Sequence, residues 1–207
     1  MTRWTTGLGI ACLIALAADP ARAALIWQDE FARPSSSSVG NGWIEAENDA
    51  DDVGIVFNHY LLLRDRRPDG VATHAGISTL GYDTITVEFR WRAWSAEGGD
   101  RLRFSYQSAP ILSWETGFDT GLGASEIYRT EVIALDATAS NIATLALSFA
   151  IDADNYNDAV KLDYVRVFGN AIAAGSATSI AEPAALALAG LGLIGIAAAI
   201  RRPSRRP

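Results

Sequence analysis

Residues 84–94 read TITVEFRWRAW: Ile85, Val87, Phe89, Trp91 and Ala93 alternate with Thr84, Thr86, Glu88, Arg90, Arg92 and Trp94. A period of two puts one set on each face, as in a half-buried antiparallel strand; a helix would repeat its apolar positions at three and four. Glu97-Gly98-Gly99-Asp100 supplies turn chemistry, after which Leu102, Phe104 and Tyr106 alternate with Arg101, Arg103 and Ser105, so two neighbouring, paired strands are predicted. Leu145, Leu147, Phe149 and Ile151 repeat the signal, and residues 161–168 form a further predicted strand ending at Gly169-Asn170. Less regular strands are predicted at 24–27, 54–57, 60–64 and 131–135. Roughly eight strands separated by Gly/Asn/Asp-rich turns, with no amphipathic helix among them, predict an all-β fold: an antiparallel β-sandwich, jelly-roll-like.

Both ends of the chain break this pattern. Met1-Thr2-Arg3, the apolar residues 7–18 and the small-x-small site Ala21-Arg22-Ala23 predict a signal peptide over 1–23, cut by signal peptidase before Ala24. At the other end Glu182-Pro183 precede an apolar run, 184–200, and the basic cluster Arg201, Arg202, Arg205 and Arg206. The run carries no charged or hydrogen-bonding side chain; as a transmembrane helix its 17 residues would reach about 25 Å, the short end of a bilayer core. The arginines then act as a stop-transfer cluster that stays cytoplasmic. The predicted organisation is a signal peptide (1–23), a β-sandwich domain (24–169), a flexible Ala/Gly/Ser/Thr-rich linker (170–181) and a sorting tail (182–207).

Glu182-Pro183, the Gly/Ala/Leu-rich span and the closing arginines together resemble the PEP-CTERM sorting signal of bacterial surface and matrix proteins. Ala181 stands where that signal has its first proline. The resemblance covers residues 180–206 and implies an exosortase-type enzyme as partner, with passage through the general secretion machinery and the inner membrane. It also implies a final location at the cell surface or outside the cell.

Charge narrows the partners further. Of 17 Lys and Arg, six lie in the two ends, as do two of 24 acids, Asp19 and Glu182, which leaves the body with 11 basic and 22 acidic side chains. A body so acidic argues against nucleic acid and anionic lipid as partners and favours neutral ligands or divalent cations. The one cysteine, Cys12, departs with the signal peptide. An exported body without disulfides must be held by its core, or by a core and a metal.

A second resemblance covers residues 25–169. HAGISTLGYDTITVEFRWRAW, GGDRLRFSYQ and NDAVKLDYVRVFG are similar to segments of jelly-roll modules in secreted bacterial proteins and carbohydrate-binding modules. In such modules a structural calcium joins the first strand to the last, which implies Asp29 or Glu30 together with Asp163 as ligands. Residues 152–158 also offer acids with EF-like spacing, but Tyr156 and Asn157 break that pattern. Sugar binding needs exposed rings, and Trp94 on a polar strand face and Trp114 in the turn-rich segment 110–125 are the candidates, beside the alternative that both simply pack. Residues 45–52 read as a solvated acidic loop, and Ser35–Ser38 as a flexible one.

Catalytic strings are lacking: two histidines, His59 and His74, stand without a nucleophile elbow, zinc motif or phosphate loop. A non-enzymatic, structural or adhesive sandwich in an extracellular polysaccharide matrix or biofilm is therefore expected. The alternatives are a carbohydrate-binding module with a specific glycan and a secreted glycoside hydrolase. The last needs two acids about 5–10 Å apart in a cleft.

Overall fold

The computed structural model describes residues 23–46, 52–64, 70–109, 112–123, 126–155 and 157–173. Residues 1–22 of the predicted signal peptide, Ala21 included, and the tail with Glu182, Pro183, the apolar segment and its arginines lie outside the described residues; Ala23 is described and exposed.

Eleven strands are present among the described residues, all paired antiparallel. The first sheet runs β3 (Val53–Val56), β4 (Tyr60–Arg64), β11 (Ala159–Ala171), β6 (Tyr82–Trp94), β9 (Arg129–Ala134), with β1 (Ala24–Asp29) also on β11. The second runs β2 (Trp43–Ala46), β5 (Val71–Ile77), β10 (Leu145–Asp152), β7 (Arg101–Gln107), β8 (Glu115–Gly121). One edge of β11 follows β6, while the other is shared end to end, β4 lying opposite residues 159–162 and β1 opposite 165–169.

The alternation in β6 is realised as read: Ile85, Val87, Phe89, Trp91 and Ala93 are buried and face the second sheet. Phe89 lies 5.4 Å from Phe104 of β7 and 5.1 Å from Phe149 of β10, ring centre to centre. These contacts correct one expectation: β6 and β7 are not paired with each other but belong to opposite sheets. Alternation fixes which side chains point inward, yet two successive strands satisfy it equally well edge to edge or face to face. Here Ser95, at a φ of 56°, and buried Ala96 carry the chain across from one sheet to the other.

Three strands, β2, β5 and β8, carry no strong alternation in the sequence. β8 reads ETGFDTG, inside the segment taken as turn-rich, and forms only because β7 supplies a template with Phe118 opposite Phe104. Nor does β11 stop at Gly169-Asn170; past a bulge, Asn170 and Ala171 pair with Asp83 and Tyr82. The supposed solvated loop is anchored at both ends, since Glu45 accepts the Val39 N–H at 2.6 Å and Asp52 is wholly buried. The serine loop is likewise pinned: Ser36 and Ile55 exchange backbone hydrogen bonds of 2.8 and 3.0 Å. This close approach is why position 54 is glycine, because a Cβ there would meet the Ser36 carbonyl oxygen at 2.5 Å.

Candidate functional site

The outer face of the first sheet collects what its strands point away from the core. β6 contributes Arg90, Arg92 and Trp94; register sets Lys161 of β11 beside Arg92, and Leu62 of β4 beside Lys161. Trp94 is 37% exposed, whereas Lys161 is only 4% exposed. The Lys161 ammonium sits 3.4 Å from the centre of the Trp94 ring and 4.7 Å from that of Phe57, a cation held between two aromatic rings. Burial pushes the Lys161 amine down to about 8, and Arg92 and Arg64 push it the same way.

Phe57 reaches that position at a conformational cost. It and Asn58 occupy the left-handed region, with φ of 53° and 63°, in the turn between β3 and β4. Asparagine tolerates that backbone, but a bulky residue rarely adopts it. The turn nevertheless projects Phe57 with 63% of its surface exposed. Tyr60 and Tyr128 continue the aromatic row, stacked with ring centres 6.1 Å apart. Arg90 and Arg92 lie over the Tyr128 ring at 4.4 and 4.8 Å.

A recess of about 140 Å³ opens between Phe57, Trp94, Lys161 and Arg64. It shares Val56, Leu62 and Arg64 with a broader trough of about 430 Å³ lined also by Ser35, Ser36 and Ser37. Buried Nε donors of Arg64 and Arg92 make no hydrogen bond among the described residues. A groove with exposed rings, the Arg64 guanidinium and serine side chains in its wall can stack on an apolar face and donate to oxygen acceptors.

The residues singled out in the sequence fall in separate places. Trp94 lies in this groove; Trp114, 43% exposed, precedes β8 on the second sheet. Asp29, Glu30 and Asp163, the calcium set implied by the jelly-roll resemblance, each hold an arginine. Asp29 accepts from the Phe31 N–H and Arg33 (2.8 Å each) through Oδ1, and from Trp43, Arg33 and Asn41 (2.9, 3.0 and 3.1 Å) through Oδ2. Glu30 holds Arg166 at 2.8 Å, and Asp163, placed on the outer face by a bulge in β11, holds Arg90 at 3.0 Å. Each carboxylate thus already faces a guanidinium, which supplies the positive charge a metal would have brought.

Burial alone would raise the Asp29 carboxyl, but the bonds from Arg33, Asn41, Phe31 and Trp43 hold it below the usual carboxylate range. His74 is buried against Trp27 and Trp43, at ring separations of 4.5 and 5.4 Å, and burial pushes its imidazole down against the opposing pull of Asn41 and Asp29. His59 is exposed at the β3–β4 turn, its Nδ1 2.6 Å from the Phe57 carbonyl. Phe57, Tyr60, Tyr128, Arg64 and Lys161 escaped sequence reading. Only the polar stripe Arg90, Arg92, Trp94 signalled this face, since the other residues reach it through strand pairings distant in the chain.

No protein-family model and no curated protein matches the sequence. Among solved structures the chain is similar to the K3 cleaved adhesin domain of Lys-gingipain from Porphyromonas gingivalis W83, at 13% identity and a TM-score of 0.52, over 71% of this chain and 99% of that one. It is also similar to the CBM22-1 xylan-binding domain of Xyn10C from Paenibacillus barcinonensis, at 8% identity and a TM-score of 0.50, over 75% of this chain and all of that one. What these proteins share with the chain is the all-β, jelly-roll-like fold.

Proposed function

We propose that this protein is an exported, non-catalytic β-sandwich that binds a polysaccharide along the outer face of its first sheet, at the cell surface or in the surrounding matrix. The observation that carries the reading is the groove in which exposed Phe57 and Trp94 stand beside the Arg64 guanidinium. Pyranose rings have apolar faces that stack on aromatic side chains, and their oxygens accept hydrogen bonds from guanidinium groups. A recess that shares its wall with an open trough suits an extended chain better than a single sugar. A xylan-binding domain and an adhesin domain of the same fold are precedents for such work, though a fold alone does not select a ligand. Neither histidine is arranged for proton transfer, since His74 is packed between tryptophans and His59 lies at an exposed turn.

Affinity electrophoresis through gels containing neutral or uronate-rich polysaccharides tests the reading. At least one polymer should retard the protein, and Trp94→Ala should weaken that binding about tenfold or more, the usual cost of losing a central aromatic contact. Trp114→Ala, on the other sheet, should leave it unchanged. Retardation by no polymer, or loss on Trp114→Ala but not on Trp94→Ala, overturns the assignment.

The exported setting follows from the two ends: signal peptidase acts before Ala24, and an exosortase-type enzyme acts near Glu182-Pro183 while the apolar segment sits in the inner membrane. Intact mass of the released protein should give a chain starting at Ala24 and ending near residue 182. Recovery of the whole chain, Met1 included, in the cytoplasmic fraction would refute export.

A further inference from the structure

At one end of the sandwich two connections meet: residues 95–100, which carry the chain from β6 to β7, and residues 153–158, which carry it from β10 to β11. Glu97 lies on the first, and Asp154 and Asp158 on the second. Carboxylate oxygens of all three lie within 4.8 Å of one another. Glu97 and Asp154 are exposed, but Asp158 is only 3% exposed. Its Oδ2 is buried and has no hydrogen-bond partner among the described residues. Asp100, 2% exposed, adds a fourth carboxylate at the same end, its Oδ2 accepting the Glu97 N–H at 2.7 Å.

A carboxylate buried without a donor or counter-charge is unfavourable, and two remedies are open to it: a proton or a cation. Burial raises the Asp158 carboxyl, and Asp100, Glu97 and Asp154 all raise it further; among the described residues no basic group offsets them. Oxygen ligands of calcium stand about 2.3–2.6 Å from the ion, so two ligands of one ion are at most about 5 Å apart. The separations here fit within that limit. Magnesium, at about 2.0–2.1 Å with near-ideal octahedral geometry, fits less readily.

We infer that Glu97, Asp154 and Asp158 form a site for one hard divalent cation of the calcium class, which clasps the β6–β7 and β10–β11 connections together. Elsewhere among the described residues no group of three such ligands converges. The acid spacing of residues 152–158 supplies half of the site; the other half comes from a loop more than fifty positions earlier, on a strand that the two-sheet arrangement brings alongside. In an exported chain whose body has no cysteine, such an ion would take the place of a covalent cross-link.

Thermal unfolding of the full-length protein, with calcium titrated after chelation, tests this directly, alongside calorimetric titration with the ion. Expected is a rise of several degrees at millimolar calcium, the range typical of extracellular modules. Exposed Glu97→Gln and Asp154→Asn should each abolish most of the rise while melting like the parent in chelator. Asp158→Asn should also abolish it and melt at or above the parent in chelator, because the amide removes a buried charge. Asp163→Asn should leave the calcium response intact. Absence of any heat or shift up to about 10 mM calcium, or a response that survives Asp158→Asn and Glu97→Gln, overturns the inference. So does a response that Asp163→Asn removes.

Discussion

Phe149→Ala is expected to lower the stability of the sandwich by about 3–5 kcal/mol, the usual cost of truncating a fully buried phenylalanine. Phe149 is wholly buried in the middle of the interface between the sheets. Its ring lies 5.0 Å from Phe104, 5.1 Å from Phe89 and 6.3 Å from Trp43, so one side chain touches β7, β6 and β2. Deleting it forfeits the transfer energy of the ring and leaves a cavity whose walls belong to two hydrogen-bonded sheets, which limits how far they can collapse. The melting temperature should fall on the order of 10 °C. Phe149→Leu, which keeps most of the volume, should cost less than about 1.5 kcal/mol. Chemical denaturation of both variants checks this, and equal losses for the two would show that the ring's shape and contacts, not the volume it fills, carry the stabilisation.

Asp29→Ala should be comparably damaging, at about 3–5 kcal/mol, although it removes only a carboxylate. The Asp29 side chain is 3% exposed and satisfies the Arg33 guanidinium, the Trp43 indole N–H and the Phe31 backbone N–H. Removing it strands a half-buried cation and two buried donors. Asp29→Asn keeps an acceptor and should lose less, so its own loss reports the charge and the further loss in Asp29→Ala reports the acceptor. The same cluster sets the response to acid. His74 titrates below its ordinary 6.5 in the fold, because burial favours the neutral ring. Below 6.5 the unfolded chain therefore binds a proton that the native protein refuses, and stability falls with pH until the native value is reached. Asp29 titrates below its ordinary 3.8, so its contribution is present above 3.8 and is lost as pH falls through the native value. Unfolding free energy should thus decline on acidification in two stages. His74→Gln should flatten the first stage alone, and an unchanged slope between about pH 6.5 and 5 would place its origin elsewhere.

Strand β4 was placed to the residue by its apolar pattern, and the long strands β6, β7 and β10 to within two residues at either end. Their alternation is a local property: each side chain's face follows from its position in the pleat, whatever the strand pairs with. The weak strands β2, β5 and β8 carry no such record and exist because a neighbour offers unpaired backbone groups. The candidate groove divides in the same way. Arg90, Arg92 and Trp94 announce one outward stripe in the sequence, but Phe57, Lys161 and Tyr128 join it only through register.

The acidic residues show the limit most plainly. Composition alone gave a body with an excess of carboxylates and no cysteine. It could not say which carboxylates would find guanidinium partners, as Asp29, Glu30 and Asp163 do, and which would be left facing each other, as Glu97, Asp154 and Asp158 are. The sequence by itself determined the all-β class and the inward face of each strong strand. Tertiary structure decided which strands share a sheet and which charges meet, because pairing and long-range electrostatics depend on distances between residues remote in the chain.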